Sequence, residues 1–114
     1  MTNYRPGDVV LILFPFTDLA AIKKRPALVV SPRGYTESYG DIVVIAITSA
    51  PQPGVDMKIE EWRAAGLIKE SWLKPVIGTV AVARITKKLG SLVETDRARA
   101  STVVAELIAK EFLP

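Results

Sequence analysis

The residues best suited to chemistry form two polar groups, one entering an apolar segment and one leaving the next. They are Lys23, Lys24 and Arg25 in the first group and Thr48 and Ser49 in the second. A guanidinium beside two hydroxyls, with ammonium groups nearby, offers the donors that a phosphodiester can accept. The residue types therefore predict a phosphate-binding site, provided that the fold brings the two groups together.

The two apolar segments have the composition of central β-strands. Residues 27–30 and 42–47 are rich in β-branched side chains and lack a regular polar alternation, so both faces of each strand are expected to be covered. The linker between them contains Pro and Gly residues typical of turns. If the strands are antiparallel neighbours, their outer ends meet and Arg25 comes close to Thr48.

Composition limits the chemistry that such a site could perform. The chain has 114 residues, 49% hydrophobic and 24% charged, which fits one globular domain over residues 1–114. It contains no cysteine and no histidine, which excludes thiolate and imidazole chemistry. We therefore expect no metal and no other cofactor. The formal net charge of +3 modestly favours encounter with nucleic acid.

No targeting or membrane-spanning segment is evident near the start of the chain. The apolar run at residues 9–14 is far too short to cross a bilayer, and no charged region precedes a signal-type segment. We therefore expect a cytoplasmic protein without a membrane partner.

Further strands are predicted at residues 9–14, 55–59, 67–73 and 76–86. The alternation of apolar and polar residues in the second of these predicts an edge strand. Pro15 and Pro75 are expected to interrupt strands because proline cannot donate a ladder hydrogen bond. Gly78 is expected to mark a bend or bulge, and residues 87–91 to turn the chain out of the sheet.

A C-terminal helix is predicted from about Glu94. Its apolar residues recur at helical spacing: Ala100, Val103, Val104, Leu107 and Ile108. Thr95 is a suitable N-cap, and Asp96 suits the positive end of the helix dipole. One apolar stripe should cover an opening of the sheet. The predicted fold is therefore mainly β, a small curved antiparallel barrel with helical cover.

The segments described above resemble the MazF/PemK family of type II toxin–antitoxin systems. The motifs are GDVV at residues 7–10, RPALVVS at 25–31 and ITS at 47–49, which follow the family's order and spacing. Shorter matches at residues 14–18, 41–44, 65–67, 71–75 and 88–90 extend the resemblance. It implies an SH3-like barrel of the CcdB and MazF type and a homodimer. It also implies metal-independent cleavage of single-stranded RNA, chiefly mRNA, restrained by a cognate antitoxin.

The resemblance also implies roles for individual residues. The family's catalytic arginine matches Arg25 and its catalytic threonine matches Thr48, with Ser49 alongside. The implied reaction is attack of an RNA 2′-OH on its own phosphate, giving a 2′,3′-cyclic phosphate and a 5′-OH.

Two positions that carry acids in many relatives hold Ala20 and Leu73 here, so no general base is identified. Asp18 is the candidate, although Thr17 and Asp18 fit a loop-closing turn equally well.

The candidate RNA contacts are Lys23, Lys24, Trp72 and Lys74. Each has an ordinary alternative, because lysine pairs are often solvated and tryptophan is usually core in a small barrel.

Two other functional classes remain open for this chain. One is a nucleic-acid- or protein-binding module of the same fold that has lost activity, as Ala20 and Leu73 suggest. The other is a CcdB-like inhibitor of DNA gyrase. Arg25 together with Thr48 favours the nuclease.

Overall fold

The computed structural model describes residues 4–14 and 23–112. Its elements are β1 Asp8–Phe14, β2 Lys23–Val29, α1 Tyr35–Tyr39, β3 Asp41–Thr48, β4 Lys58–Ile59, β5 Ser71–Ala81, β6 Ile85–Ser91 and α2 Glu94–Ala109. Within the described residues the strands form one six-stranded sheet in the order β4-β5-β3-β2-β1-β6, and every neighbouring pair is antiparallel. The sheet curls into a half-barrel with a C-terminal helix. The predicted fold class is thereby confirmed.

Two hydrophobic clusters lie on opposite faces of the sheet. On one face Val9, Leu28 and Ile45 are neighbours in register, and Ala100 of α2 packs in the same cluster. On the other face Val10 lies opposite Ala27, and both belong to a cluster that includes strands β1, β2, β3 and β5. The central strands are therefore covered on both faces, as their unbroken apolar runs predict.

The prediction of two strands separated at Pro75 is wrong, because Ser71–Ala81 is one continuous strand. Ile45 pairs with Ile77 and the next residue, Ala46, pairs with Lys74, so Pro75 and Val76 have no partner on β3. A proline fits such a bulge because no ladder hydrogen bond is required of it. The bulge lies here rather than at Gly78, which pairs in register with Val44.

Residues 87–91 were predicted to leave the sheet, but they belong to β6, which pairs with β1 at the sheet edge. The predicted strand 76–86 is interrupted by one turn of 3-10 helix, Val82–Arg84. The two adjacent lysines of β6 are exposed, and because neighbouring residues of a strand project to opposite faces, both faces of the sheet are open to solvent at this position. Pairing with a distant strand, and not local composition, decides this element.

The predicted edge strand at residues 55–59 is confirmed in position but shorter, since only Lys58–Ile59 pair with β5. The turn-rich linker after β2 contains a short helix, α1, that was not predicted. Its last residue is followed by Gly40 at φ 72°, a conformation that glycine adopts without a steric penalty.

Helix α2 begins at Glu94 as predicted, but Val93 and not Thr95 is its N-cap, without a side-chain capping hydrogen bond. The apolar stripe covers the sheet only through its first part. Leu107 and Ile108 near the C-terminal end are 45% and 56% exposed. No helix in the described part of the chain is long and apolar enough to cross a membrane.

The backbone of the segment before β5 crosses the backbone of β6 at close range. Gly66 has φ +85°, and an added Cβ there would overlap the backbone of Leu89. A Cβ on Gly90 would lie 2.5 Å from the Ala65 carbonyl oxygen. Glycine is therefore required at both positions by steric contact.

Candidate active site

Four side chains from neighbouring strands form a row across one face of the sheet. Trp72 on β5 lies opposite Thr48 on β3 and opposite Lys58 on β4. The pairing of strands β2 and β3 ends at Ala27 and Ala46, and Arg25 and Thr48 each lie two residues beyond that pair, on the same face of the sheet. Directly opposite residues project to the same face with Cβ atoms about 5 Å apart. We call Arg25, Thr48, Trp72 and Lys58 the cross-strand row.

The first two members of the row have side chains available for a ligand. Arg25 is exposed and Thr48 is half-buried. The Thr48 hydroxyl oxygen accepts a hydrogen bond from the Ala50 backbone N–H at 3.1 Å, which orients the side chain at the end of β3. Its own hydrogen remains able to donate. A guanidinium and an oriented hydroxyl are suitable donors for an anionic phosphate.

The basic residues that enter β2 do not all project in the same direction. Lys23 and Arg25 are two residues apart and share one face, whereas Lys24, which pairs with Leu13, projects to the other. All three are exposed. The face of the cross-strand row therefore receives Lys23 and Arg25, and Lys24 lies outside it.

Strand β5 contributes a second cation to the same face. Lys74 is exposed, lies two residues beyond Trp72 and pairs with Ala46, which is two residues before Thr48. Trp72 is half-buried, and the Lys58 ammonium lies 5.8 Å from the centre of its ring. Trp72 and Lys74 are therefore both placed beside Thr48.

Three other residues singled out from the sequence are placed differently. Ser49 is exposed and follows the last residue of β3. Leu73 is 2% exposed and packs in the cluster that contacts α2, on the face opposite the row. Asp18 and Ala20 lie outside the described residues. An acid at the position of Leu73 would therefore not face the row.

Lys58 was not identified from the sequence. Its β4 strand has two residues, and the contact with Trp72 depends on pairing between segments 14 residues apart. The alternation of residues 55–59 indicated a strand, but it gave no partner. Among residues 4–14 and 23–112, no group of three or more acidic side chains is arranged to hold a metal ion.

A second charged cluster lies elsewhere on β1 and serves the fold. Asp8 is buried and accepts hydrogen bonds from the Ser91 hydroxyl at 2.9 Å and the Arg5 backbone N–H at 3.1 Å. Its carboxylate also lies 3.3 Å from the Lys88 ammonium. Burial, and secondly the Asp8 carboxylate, raises the pKa of Tyr4. Asp8 and Lys88 therefore join the start of β1 to β6.

Comparison with known proteins identifies the family. Residues 5–108 match the family model of PemK-like, MazF-like toxins of type II toxin–antitoxin systems. The chain therefore belongs to this family, which confirms the resemblance drawn from the sequence motifs. None of the curated proteins compared with the chain by sequence gives a match.

Solved structures with the same fold include proteins from mycobacteria and from Deinococcus radiodurans. An endoribonuclease from a mycobacterial species, in complex with its cognate antitoxin, has a TM-score of 0.73 and 15% identity over 97% of each chain. MazF from Deinococcus radiodurans has a TM-score of 0.73 and 20% identity, over 95% of this chain and 98% of that one. The Mycobacterium tuberculosis toxin MazF-mt6 has a TM-score of 0.68 and 17% identity, over 90% of this chain and 95% of that one. At these identities the likeness concerns the fold.

Proposed function

We propose that this protein is the toxin of a toxin–antitoxin pair. Its proposed activity is that of an endoribonuclease that cleaves single-stranded RNA, with Arg25 and Thr48 as the catalytic residues. The observation that carries the proposal is the β2–β3 register, in which Arg25 and Thr48 each lie two residues beyond the Ala27–Ala46 pair. The family assignment supports it. Both residues lie at strand ends with accessible side chains, where an RNA phosphate can reach them.

The proposed reaction uses the substrate's own hydroxyl as nucleophile. The 2′-OH loses its proton, its oxygen bonds to phosphorus, and the bond from phosphorus to the 5′ oxygen breaks as that oxygen is protonated. The Arg25 guanidinium binds two non-bridging oxygens, and the Thr48 hydroxyl donates to one of them. These donors stabilise the additional negative charge of the transition state. Ser49 is the proposed auxiliary donor, and Asp18 is the proposed proton acceptor.

RNA binding is proposed on the face that carries the cross-strand row. Lys23 and Lys74 supply cations on this face, and Trp72 supplies an aromatic surface beside Thr48. Cations along a groove with interspersed aromatic side chains are typical of single-strand binding. Lys24 projects to the opposite face of the sheet, and it is proposed to contact RNA that passes around the start of β2.

Cleavage chemistry provides the direct test of the proposal. The purified protein should cut a defined single-stranded RNA in EDTA and leave 5′-OH ends, because neither the nucleophile nor the proposed donors require a metal. A 2′-O-methyl group at the cleaved position should abolish cutting there. Product ends are measured by whether a polynucleotide kinase labels them without prior phosphatase treatment.

Other results of these experiments would indicate a different function or mechanism. RNA binding without cleavage would indicate a binding module of the same fold, and inhibition of DNA gyrase without RNA cleavage would indicate the CcdB-like activity. Normal cutting of the 2′-O-methyl substrate would show that another group is the nucleophile.

We also propose a homodimer that is inhibited by a cognate antitoxin. Relatives of the same fold from Deinococcus radiodurans were crystallised as MazE–MazF complexes. A segment rich in acidic and apolar residues fits this chain, because its carboxylates compete with RNA phosphates for Lys23 and Arg25. Such a segment orders on binding and covers a large surface. Inhibition should therefore be competitive with RNA.

Light scattering tests the homodimer, and competition binding tests inhibition by the antitoxin. The measured mass at micromolar concentration should be twice the chain mass of 12.4 kDa. A mass of one chain would refute the dimer. An antitoxin peptide that leaves RNA binding unchanged at saturation would refute competition, whatever the mass.

A further inference from the structure

We infer that Lys58 and Trp72 form a nucleotide subsite next to the proposed cleavage site, in which Trp72 stacks on a base and Lys58 binds the phosphate beyond it. In the absence of RNA, the Glu70 carboxylate forms an ion pair with the Lys58 ammonium. The inference rests on the proposed function, because it assigns the subsite to single-stranded RNA. It adds a phosphate-binding residue and a competing carboxylate that the family assignment does not supply.

The position of Lys58 follows from strand pairing. Thr48 pairs with Trp72, and Trp72 pairs with Lys58, so the three side chains project from one face on successive strands. Neighbouring strands are about 4.8 Å apart, which separates the backbones at Thr48 and Lys58 by about 10 Å. A short stretch of extended RNA spans this distance. A strand whose phosphate lies at Thr48 can therefore pass over Trp72 and reach Lys58.

The contacts of Lys58 leave its ammonium available to a phosphate. Its Nζ lies 3.6 Å from the Glu70 carboxylate, and the two side chains are 34% and 62% exposed. Ion pairs this open to solvent are weak. A phosphodiester arriving over Trp72 offers an anion held in place by further contacts, so it can displace Glu70. The same ammonium lies over the indole ring, which holds the side chain near the path of the RNA.

The half-buried environment of Trp72 suits a stacking role. A fully buried indole would present no surface to a base, and a fully exposed one would lack a fixed orientation. Trp72 is half-buried, and the Lys58 ammonium lies 5.8 Å from the centre of its ring. Because every base has an aromatic face, stacking binds any nucleotide at this subsite. The contact therefore raises affinity without fixing the base.

The test measures binding of a 2′-O-methyl RNA oligonucleotide, which bypasses cleavage, across a range of salt concentrations. Lys58→Ala should lower the magnitude of the slope of log affinity against log salt by about 0.7, the value for one phosphate contact on a single strand. Glu70→Gln should tighten binding at low salt. The matched control is Lys110→Ala, since Lys110 is an exposed lysine directly after α2, a helix that packs on the face of the sheet opposite the row.

Fluorescence separates stacking from charge. The chain has two tryptophans, so Trp62→Phe leaves Trp72 as the only indole. RNA should quench its emission, and Lys58→Ala should reduce affinity without removing the quenching at saturation. With cleavable RNA, Lys58→Ala should raise KM and leave kcat within about twofold, as expected for loss of a uniform binding contact.

A salt slope in Lys58→Ala equal to that of Lys110→Ala would overturn the Lys58 assignment, and an unquenched Trp72 at saturation would overturn stacking. Both outcomes are distinct from failure of the proposed function. An unchanged slope in a protein that cuts RNA refutes the subsite alone. A lowered slope in a protein that cuts no RNA supports the subsite and refutes the nuclease.

Discussion

Arg25→Ala is expected to reduce RNA cleavage by about 10²–10³-fold, the typical cost of removing one preorganised donor that stabilises developing charge. The folded protein should be unaffected, because Arg25 is exposed at the start of β2 and outside both hydrophobic clusters. Arg25→Lys should also fail, since an ammonium cannot reproduce the planar two-point contact of a guanidinium. Initial cleavage rates and thermal unfolding are measured on the same preparations.

The matched control is Arg33→Ala. Arg33 is an exposed arginine in the loop that follows β2, at the opposite end of that strand from Arg25. It should retain the wild-type rate.

Thr48→Ser should retain most activity and Thr48→Ala should lose it, because serine keeps a hydroxyl that can accept from Ala50 and donate to phosphate. Near-normal cleavage by a folded Arg25→Ala protein would refute the proposed mechanism.

Asp96→Ala is expected to lower the free energy of unfolding by about 3 kcal/mol, because two backbone donors and an arginine lose a buried acceptor. The Asp96 carboxylate is 3% exposed and accepts from the Glu60 N–H at 3.2 Å and the Glu61 N–H at 2.8 Å. It is also paired with Arg99. The midpoint of thermal unfolding should fall by about 10–20 °C.

Glu94→Ala is the control for this effect. Glu94 is also an acid in the first turn of α2, but it is exposed, so its loss should remove only a helix-dipole contribution of about 0.5 kcal/mol. Equal destabilisation by the two substitutions would show that the contacts with residues 60 and 61 contribute nothing. Denaturant titration gives both values.

The two expected losses separate activity from stability. Arg25 is expected to matter to the reaction and not to folding, whereas Asp96 is expected to matter to folding and not to the chemistry. From the sequence, Asp96 was expected only to interact with the helix dipole, since nothing local to residue 96 indicates a contact with residues 60 and 61. That contact forms because α2 packs against the sheet beside this turn.

Local sequence was sufficient for the central strands and the C-terminal helix. β-Branched runs and the helical spacing of apolar residues are local patterns that reflect burial directly. Arg25 and Thr48 could be expected near each other because strands that are consecutive in the sequence commonly lie side by side. Membership of the family was also evident, since its motifs occur in order along the chain.

Tertiary structure alone decided the rest of the sheet and the other half of the cross-strand row. Residues 87–91 have the composition of a turn but pair with β1, and Pro75 lies in a bulge of a continuous strand instead of ending it. Lys58 meets Trp72 only through pairing at the sheet edge. The physical reason is the same in each case. A strand gains its hydrogen bonds and buried surface from a partner elsewhere in the chain, so its own residues do not specify which partner that is.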